Sequence, residues 1–194
     1  YMETAEPTPW FNFETYSDNL SKKTVEDFIS ITHEKYKEYV GDKFQKTIPA
    51  IFTDEPQITH QTELKSSFDN EDIILPFTTD FEKTYTETYG ESILDKLPEV
   101  LWEKRGTPSV TRYRYHDHVT ERFVSAYCDT VGNWCKENGL LFTGHVMNEN
   151  SLYSQTGAVG ECMRTYRSFG MPGVDMLCDD REFTTVKQAA SAAH

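Results

Sequence analysis

The 194-residue chain is 37% hydrophobic and 13% aromatic, enough for one domain with a core of its own. Its formal net charge of −13 sets it against nucleic-acid backbones and anionic membrane surfaces, and with no run of about 18 apolar residues it has no membrane span. Neutral ligands stay open; an acidic, aromatic-rich surface suits sugars, and net negative charge also aids solubility. The cysteines, Cys128, Cys135, Cys162 and Cys178, show no CxxC spacing. Buried free thiols in a reducing, cytoplasmic compartment are the favoured reading over a zinc site. The chain opens on Tyr1 and stops in TTVKQAASAAH while still helical in pattern, as expected of a piece of a longer polypeptide.

Residues 1–19 carry Pro7, Pro9, Trp10 and several aromatics with no helical or strand period, an irregular loop packed by rings. From Ser21, Val25, Phe28, Ile29, Thr32, Tyr36 and Tyr39 recur at helical steps and predict one helix ended by Gly41, with His33 a structural histidine beside its apolar face. TIPAIFTDEPQ follows. Ile48 to Phe52 read as a short buried strand of a parallel sheet, and Asp54 and Glu55 stand where it opens into a loop, with Pro56 ending the ladder. In barrels of alternating strands and helices, active sites are built at that edge; solvated loop acids are the plainer alternative.

Residues 58–109 are too long for a structureless connection and predict an inserted helical lid over the strand ends, with one helix ending at Gly90 and a second piece containing Leu94, Leu97 and Trp102. Ser109 to Asn138 is the longest periodic stretch, a helix stopped by Gly139. His116 and His118 stand two apart, on opposite sides of that helix, so no metal ligands are assigned, while Ca²⁺ stays open. GLLFTGHVMNEN repeats the earlier pattern: a strand over Leu140 to Val146, then His145, Asn148 and Glu149 at its carboxyl end. Ser151 to Gly160 read as a polar loop, ECMRTYRSF as a short helix, Val174 to Cys178 as a third strand ending in Asp179 and Asp180, and Thr184 onward as a helix. Alternation of this kind implies a parallel sheet in an α/β fold.

IFTDEP, NWCKENGLLFTGHVMNE, YRSFGMPGVDML and KQAASAAH together resemble the catalytic barrel of bacterial glycoside hydrolases related to the α-L-rhamnosidases of glycoside hydrolase family 106 and to the β-galactosidase-like enzymes of clan A. The resemblance runs from Val25 to His194. It implies a partial (β/α)₈ TIM barrel, strands four to six with their helices, and gives Glu55 the acid/base place at the end of strand four. The nucleophile of strand seven would then lie beyond His194. Clan A enzymes commonly have Asn ahead of the acid/base glutamate, where this chain has Asp54.

Cleaving a glycosidic bond needs one carboxylic acid to protonate the departing oxygen and a second carboxylate to attack the sugar or activate water. Within this chain Glu149 is the best second carboxylate; Asp175, Asp179 and Asp180 are weaker, Asp175 because it starts a strand in this reading. Asp54, His145 and Asn148 are candidate sugar contacts, and Trp10, Trp102 and Tyr153 candidate stacking rings, each with ordinary packing as its alternative. The expected partners are a carbohydrate and the remainder of the parent polypeptide. A catalytically incomplete half-barrel that only binds carbohydrate or serves structure is the other reading, and its open strand edges would favour self-association.

Overall fold

The computed structural model describes residues 2–58, 68, 70, 72–102, 107–176 and 183–193. Its sheet has three parallel strands in the order β1 (Ala50–Asp54), β2 (Leu141–His145) and β3 (Met171–Pro172). β1 and β2 pair along their whole length, from Ala50 opposite Leu141 to Asp54 opposite His145. The alternation of helix and strand therefore produces the parallel α/β sheet it implies. The sheet is open: among the described residues nothing closes it into a barrel.

One element spans the molecule. α5 (Val110–Phe123), a π-helical turn (Val124–Cys128) and α6 (Asp129–Glu137) form a continuous helical run. Its buried residues include Val119, Phe123, Ala126, Val131 and Trp134, in line with the sequence period. In the π turn the hydroxyls of Tyr127 and Thr53 lie 2.7 Å apart, which fixes Tyr127 level with the carboxyl end of β1. Everything upstream of it, Val110–Ala126, about 25 Å of helix, projects past that edge. α3 (Phe81–Tyr89) and α4 (Leu97–Leu101) pack along this overhang. Phe81 meets Tyr115 and His118, Arg112 Nε donates to Val100 O at 2.7 Å, and Tyr115 Oη donates to Pro76 O at 2.5 Å.

On the other side, α1 (Lys22–Ile31) packs on the π turn and α6, and α2 (His33–Val40) packs against α1 and meets α6 through His33 and Trp134. The single expected helix is broken at Thr32, whose hydroxyl donates to Phe28 O at 2.6 Å and meets His33 Nδ1 at 2.8 Å. The buried face is also narrower than its period suggested. Val25, Ile29 and His33 are inside, His33 edge-to-face with Trp134 at 5.0 Å, whereas Tyr36 and Tyr39 are exposed.

Two connections differ from expectation. The loop expected over Ser151 to Gly160 contains α7 (Leu152–Ala158), capped by Ser151 and Ser154, each side chain bonded to the other's backbone N–H. Among the described residues the third strand is Met171–Pro172, held by Gly170 N–H to Phe142 O and Gly173 N–H to Gly144 O, and 174–176, the described part of the expected strand, lie outside it. Pro172 lacks a donor, which an edge strand tolerates. Cys178, Asp179 and Asp180 lie outside the described residues. Past α8 (Cys162–Thr165), α9 (Thr184–Ala192) closes the chain. No described helix is long and apolar enough to cross a membrane.

Cys128, Cys135 and Cys162 are buried free thiols, and burial pushes Cys135 up to about 12. His118 sits among Phe81, Tyr85 and Tyr89 with Nε2 2.9 Å from the Thr84 hydroxyl. Burial, then the nearby Arg122 charge, lowers its proton affinity, and burial does the same to His33. Unfolded, each imidazole takes up a proton near its ordinary value of 6.5; folded, only below that. Their contribution to stability is complete above that value and is lost as the pH falls through the folded values. The expected outcome is a urea midpoint that drops between pH 7 and pH 5.5, with a shallower drop in His118→Leu. An identical slope in the variant would remove His118 from the account.

Candidate functional site

The site is built where β1 and β2 end together. Because the two strands are in register, Asp54 and His145 face each other, His145 Nε2 lying 3.3 Å from Asp54 Oδ1. Asp54 is largely exposed and His145 is not: their side chains are 78% and 12% accessible. His145 Nδ1 is buried and has no partner among the described residues. Phe52, two residues before Asp54 on the same face, presents its ring edge-on to His145 at 5.7 Å and is itself 61% exposed.

Past Asp54 the chain leaves the extended conformation at once. Glu55 has φ 46°, in the left-handed region that a non-glycine residue rarely enters, and it does so directly ahead of Pro56, whose ring disfavours α-type conformations in the preceding residue. This turn overrides strand alternation. On an extended strand adjacent side chains point to opposite faces; here both acids approach His145, and ligand atoms of Glu55, His145 and Asp175 all lie within 4.8 Å of one another.

The β2 exit is also left-handed, at Asn148 with φ 55°, a residue type that tolerates it. The reversal folds Glu149 back under the strand end. Glu149 is 5% exposed; its Oε2 accepts the Val146 N–H at 3.0 Å and its Oε1 the Asp175 N–H at 3.4 Å. Burial raises the proton affinity of this carboxyl, against the pull of those N–H groups and of His145. Expected as a catalytic carboxylate, Glu149 thus turns both oxygens into the protein and joins the exits of β2 and β3.

Asp175 is the residue that sequence reasoning undervalued. It was read as starting a strand, but the strand lies four residues earlier, so Asp175 falls on the exit loop beside Glu55. The phase of Gly170, Pro172 and Gly173 around the short strand could have signalled this. The aromatic candidates do not gather at the cluster. Trp10 is on a 3₁₀ turn, Trp102 ends α4 beside α5, and Tyr153 is on α7; each is largely exposed. Next to Trp10, Phe11 stacks on Tyr16 at 4.6 Å, and the Tyr16 hydroxyl accepts from Gln57 N–H at 3.2 Å. Asn148 is exposed at the rim.

As a cation cradle, Glu55, His145 and Asp175 supply two carboxylates and an imidazole. Ca²⁺ takes six to eight oxygen ligands, so this set alone does not fit it; the mixed nitrogen and oxygen donors are closer to what transition metals prefer. As a proton-handling or polyol-binding group the set is complete in itself, two acids about one imidazole at an open edge.

The strain at Glu55 is open to measurement. A left-handed non-glycine residue costs about 1–2 kcal/mol, and glycine's extra unfolded-state freedom returns about half of that. Glu55→Gly is expected to raise stability by about 0.5–1 kcal/mol in denaturant titration while removing the carboxylate. A loss of stability would show that the Glu55 side chain holds the loop rather than being held by it.

No protein-family model and no curated sequence matches this chain. In fold it is similar to the rhamnosidase from Novosphingobium sp. PP1Y, with a TM-score of 0.68 at 18% sequence identity. The match takes in 98% of this chain and 17% of that one, so the likeness is one of fold, over a small part of the larger protein.

Proposed function

We propose that this chain carries the general-acid side of a glycoside hydrolase site, with Glu55 as the proton donor. The observation that carries the reading is the conformation of Glu55: a strained acid, fixed at a sheet's carboxyl edge and aimed at a second acid and an imidazole. Strain of this kind persists only where the surroundings over-determine it, and such positions cluster at active sites. A carbohydrate suits the surroundings. Phe52 offers an apolar ring face, and Asp54 and Asp175 offer acceptors for hydroxyl groups. The similarity in fold to a rhamnosidase supports the same reaction class and makes an aryl rhamnoside the first substrate to try.

In that reaction Glu55 gives its proton to the glycosidic oxygen as the bond to the anomeric carbon breaks, and water's oxygen ends on that carbon. The second carboxylate is not Glu149 in this reading, since both of its oxygens are engaged by backbone N–H groups. It comes from a strand of a larger barrel, of which the present sheet is one arc. His145, bonded to Asp54, orients the sugar's hydroxyl edge.

Activity on aryl glycosides, measured with the intact polypeptide, is expected to fall about 10²–10⁴-fold in Glu55→Gln. Undiminished hydrolysis would dismiss Glu55 as the acid.

The sheet supports the barrel arc as well. Parallel sheets are covered on both faces, yet here Phe52, Leu141 and Met171 are 61%, 44% and 50% exposed on the face away from the helices. β1 and β3 pair only with β2 among the described residues. The isolated 194-residue chain is therefore expected to self-associate in sedimentation velocity, and Phe52→Lys to reduce this. A monomer at every concentration would speak for a sheet that needs no further strands.

A further inference from the structure

The polar network behind Glu149 has no part in the chemistry above. Gln155 on α7 and Gln188 on α9 both donate to the Glu149 carbonyl, at 2.9 Å and 2.8 Å, and Gln155 Nε2 also reaches Gln188 Oε1 at 3.1 Å. The remaining acceptor of Gln155 takes the Cys162 N–H at 3.2 Å, so its amide is oriented from both ends. Gln155 is 3% exposed. The other end of Glu149 is fixed as firmly, one carboxylate oxygen on the β2 exit at Val146 and one on the β3 exit at Asp175.

From this geometry we infer that Gln155 and Gln188 are positioning residues that act on the Glu55 cluster through Glu149, an inference that rests on the hydrolase reading. Holding the carbonyl from two helices sets the depth of Glu149. Its carboxylate then sets the spacing of the two exits. Those exits bear His145 and Asp175, the two groups that stand within 4.8 Å of Glu55. A helix at the far end of the chain is thereby coupled to the reacting acid without touching it. Ordinary core polarity would ask only that each buried amide be satisfied; here four segments, at 146, 155, 175 and 188, converge on one residue.

The test uses the intact polypeptide with p-nitrophenyl rhamnoside and two variants. Gln188→Met keeps the volume and removes the donor; Gln188→Glu keeps the acceptor for Gln155 and removes the donor. In both, kcat is expected to fall about 10²-fold with KM within about twofold, the signature of misplaced reacting groups. Hydrogen exchange at the Val146 and Asp175 amides is expected to quicken at least about tenfold, with protection in β1 unchanged. Altered thermal stability with unaltered kcat, or unaltered exchange at those two amides, would overturn the positioning role. If one variant fails to fold, the other carries the measurement. Should the unsubstituted protein turn over no glycoside, the hydrolase reading fails and the positioning role with it, and the exchange data show separately whether the clamp exists.

Discussion

The close parallel contact of β1 with β2 at Thr53 and Gly144 is what the rest of the site depends on. Gly144 adopts φ 131°, and a Cβ there would stand 2.0 Å from the Thr53 carbonyl oxygen, so no other residue lets the strands approach this way. From that contact the register follows, and from the register the facing of Asp54 and His145. The helix side answers it. The π turn adds one residue to a long helix and thereby brings the Tyr127 hydroxyl onto Thr53, gripping β1 at the position that meets Gly144.

Two strained turns sit immediately beyond this rigid point, and their placement explains their tolerance. Glu55 and Asn148 each take left-handed conformations, at about 1–2 kcal/mol for Glu55 and less for the more tolerant Asn148, against a total stability for a domain of about 5–15 kcal/mol. Such a cost needs anchors on both sides. For Glu55 they are the β1 ladder before it and, after it, Gln57, whose carbonyl accepts from Asn19 and whose N–H donates to Tyr16. For Asn148 they are the β2 ladder and the carbonyl of Glu149 held by two glutamines. The aromatic N-terminal turn and the C-terminal helix, remote in sequence, serve the same end by pinning the two exits.

The alternation of elements was legible because β1 and β2 are short apolar runs between helical periods, and the acids at their ends were legible because IFTDEP and FTGHVMNE place them there. What stayed hidden has physical causes. A left-handed residue before proline contradicts local preference, so the convergence of Asp54 and Glu55 could not be read from alternation. β3 is held to β2 by glycines on either side of a proline, residues that ordinarily argue against a strand, so the strand was expected to begin at Val174 when it begins three residues earlier, at Met171. The π turn moves the apolar face on by one residue, about 100°, and the crowding of buried Phe123, Val124, Ala126 and Cys128 around it masks that step in the sequence. α7, by contrast, carried its signal openly in Ser151 and Ser154, and the glycine at Gly157 drew attention away from it.

The arrangement of polarity at the edge constrains what can bind more tightly than any single residue does. Phe52 lies one pleat below Asp54 on the same face, about 7 Å deeper along the strand, so this exposed edge has an apolar floor and an acidic rim. An anionic ligand meets three carboxylates, Asp54, Glu55 and Asp175, about one imidazole, in a chain that already carries a net charge of −13. A fully apolar ligand would strip water from those acids without replacing its hydrogen bonds, which is costly. A neutral ring with hydrogen-bond donors at its edge and C–H groups on its face satisfies both levels at once, and a sugar has that shape of polarity. The same logic gives the imidazole its place: His145 touches the floor through Phe52 and the rim through Asp54, so a ring seated on one is held at a fixed height against the other.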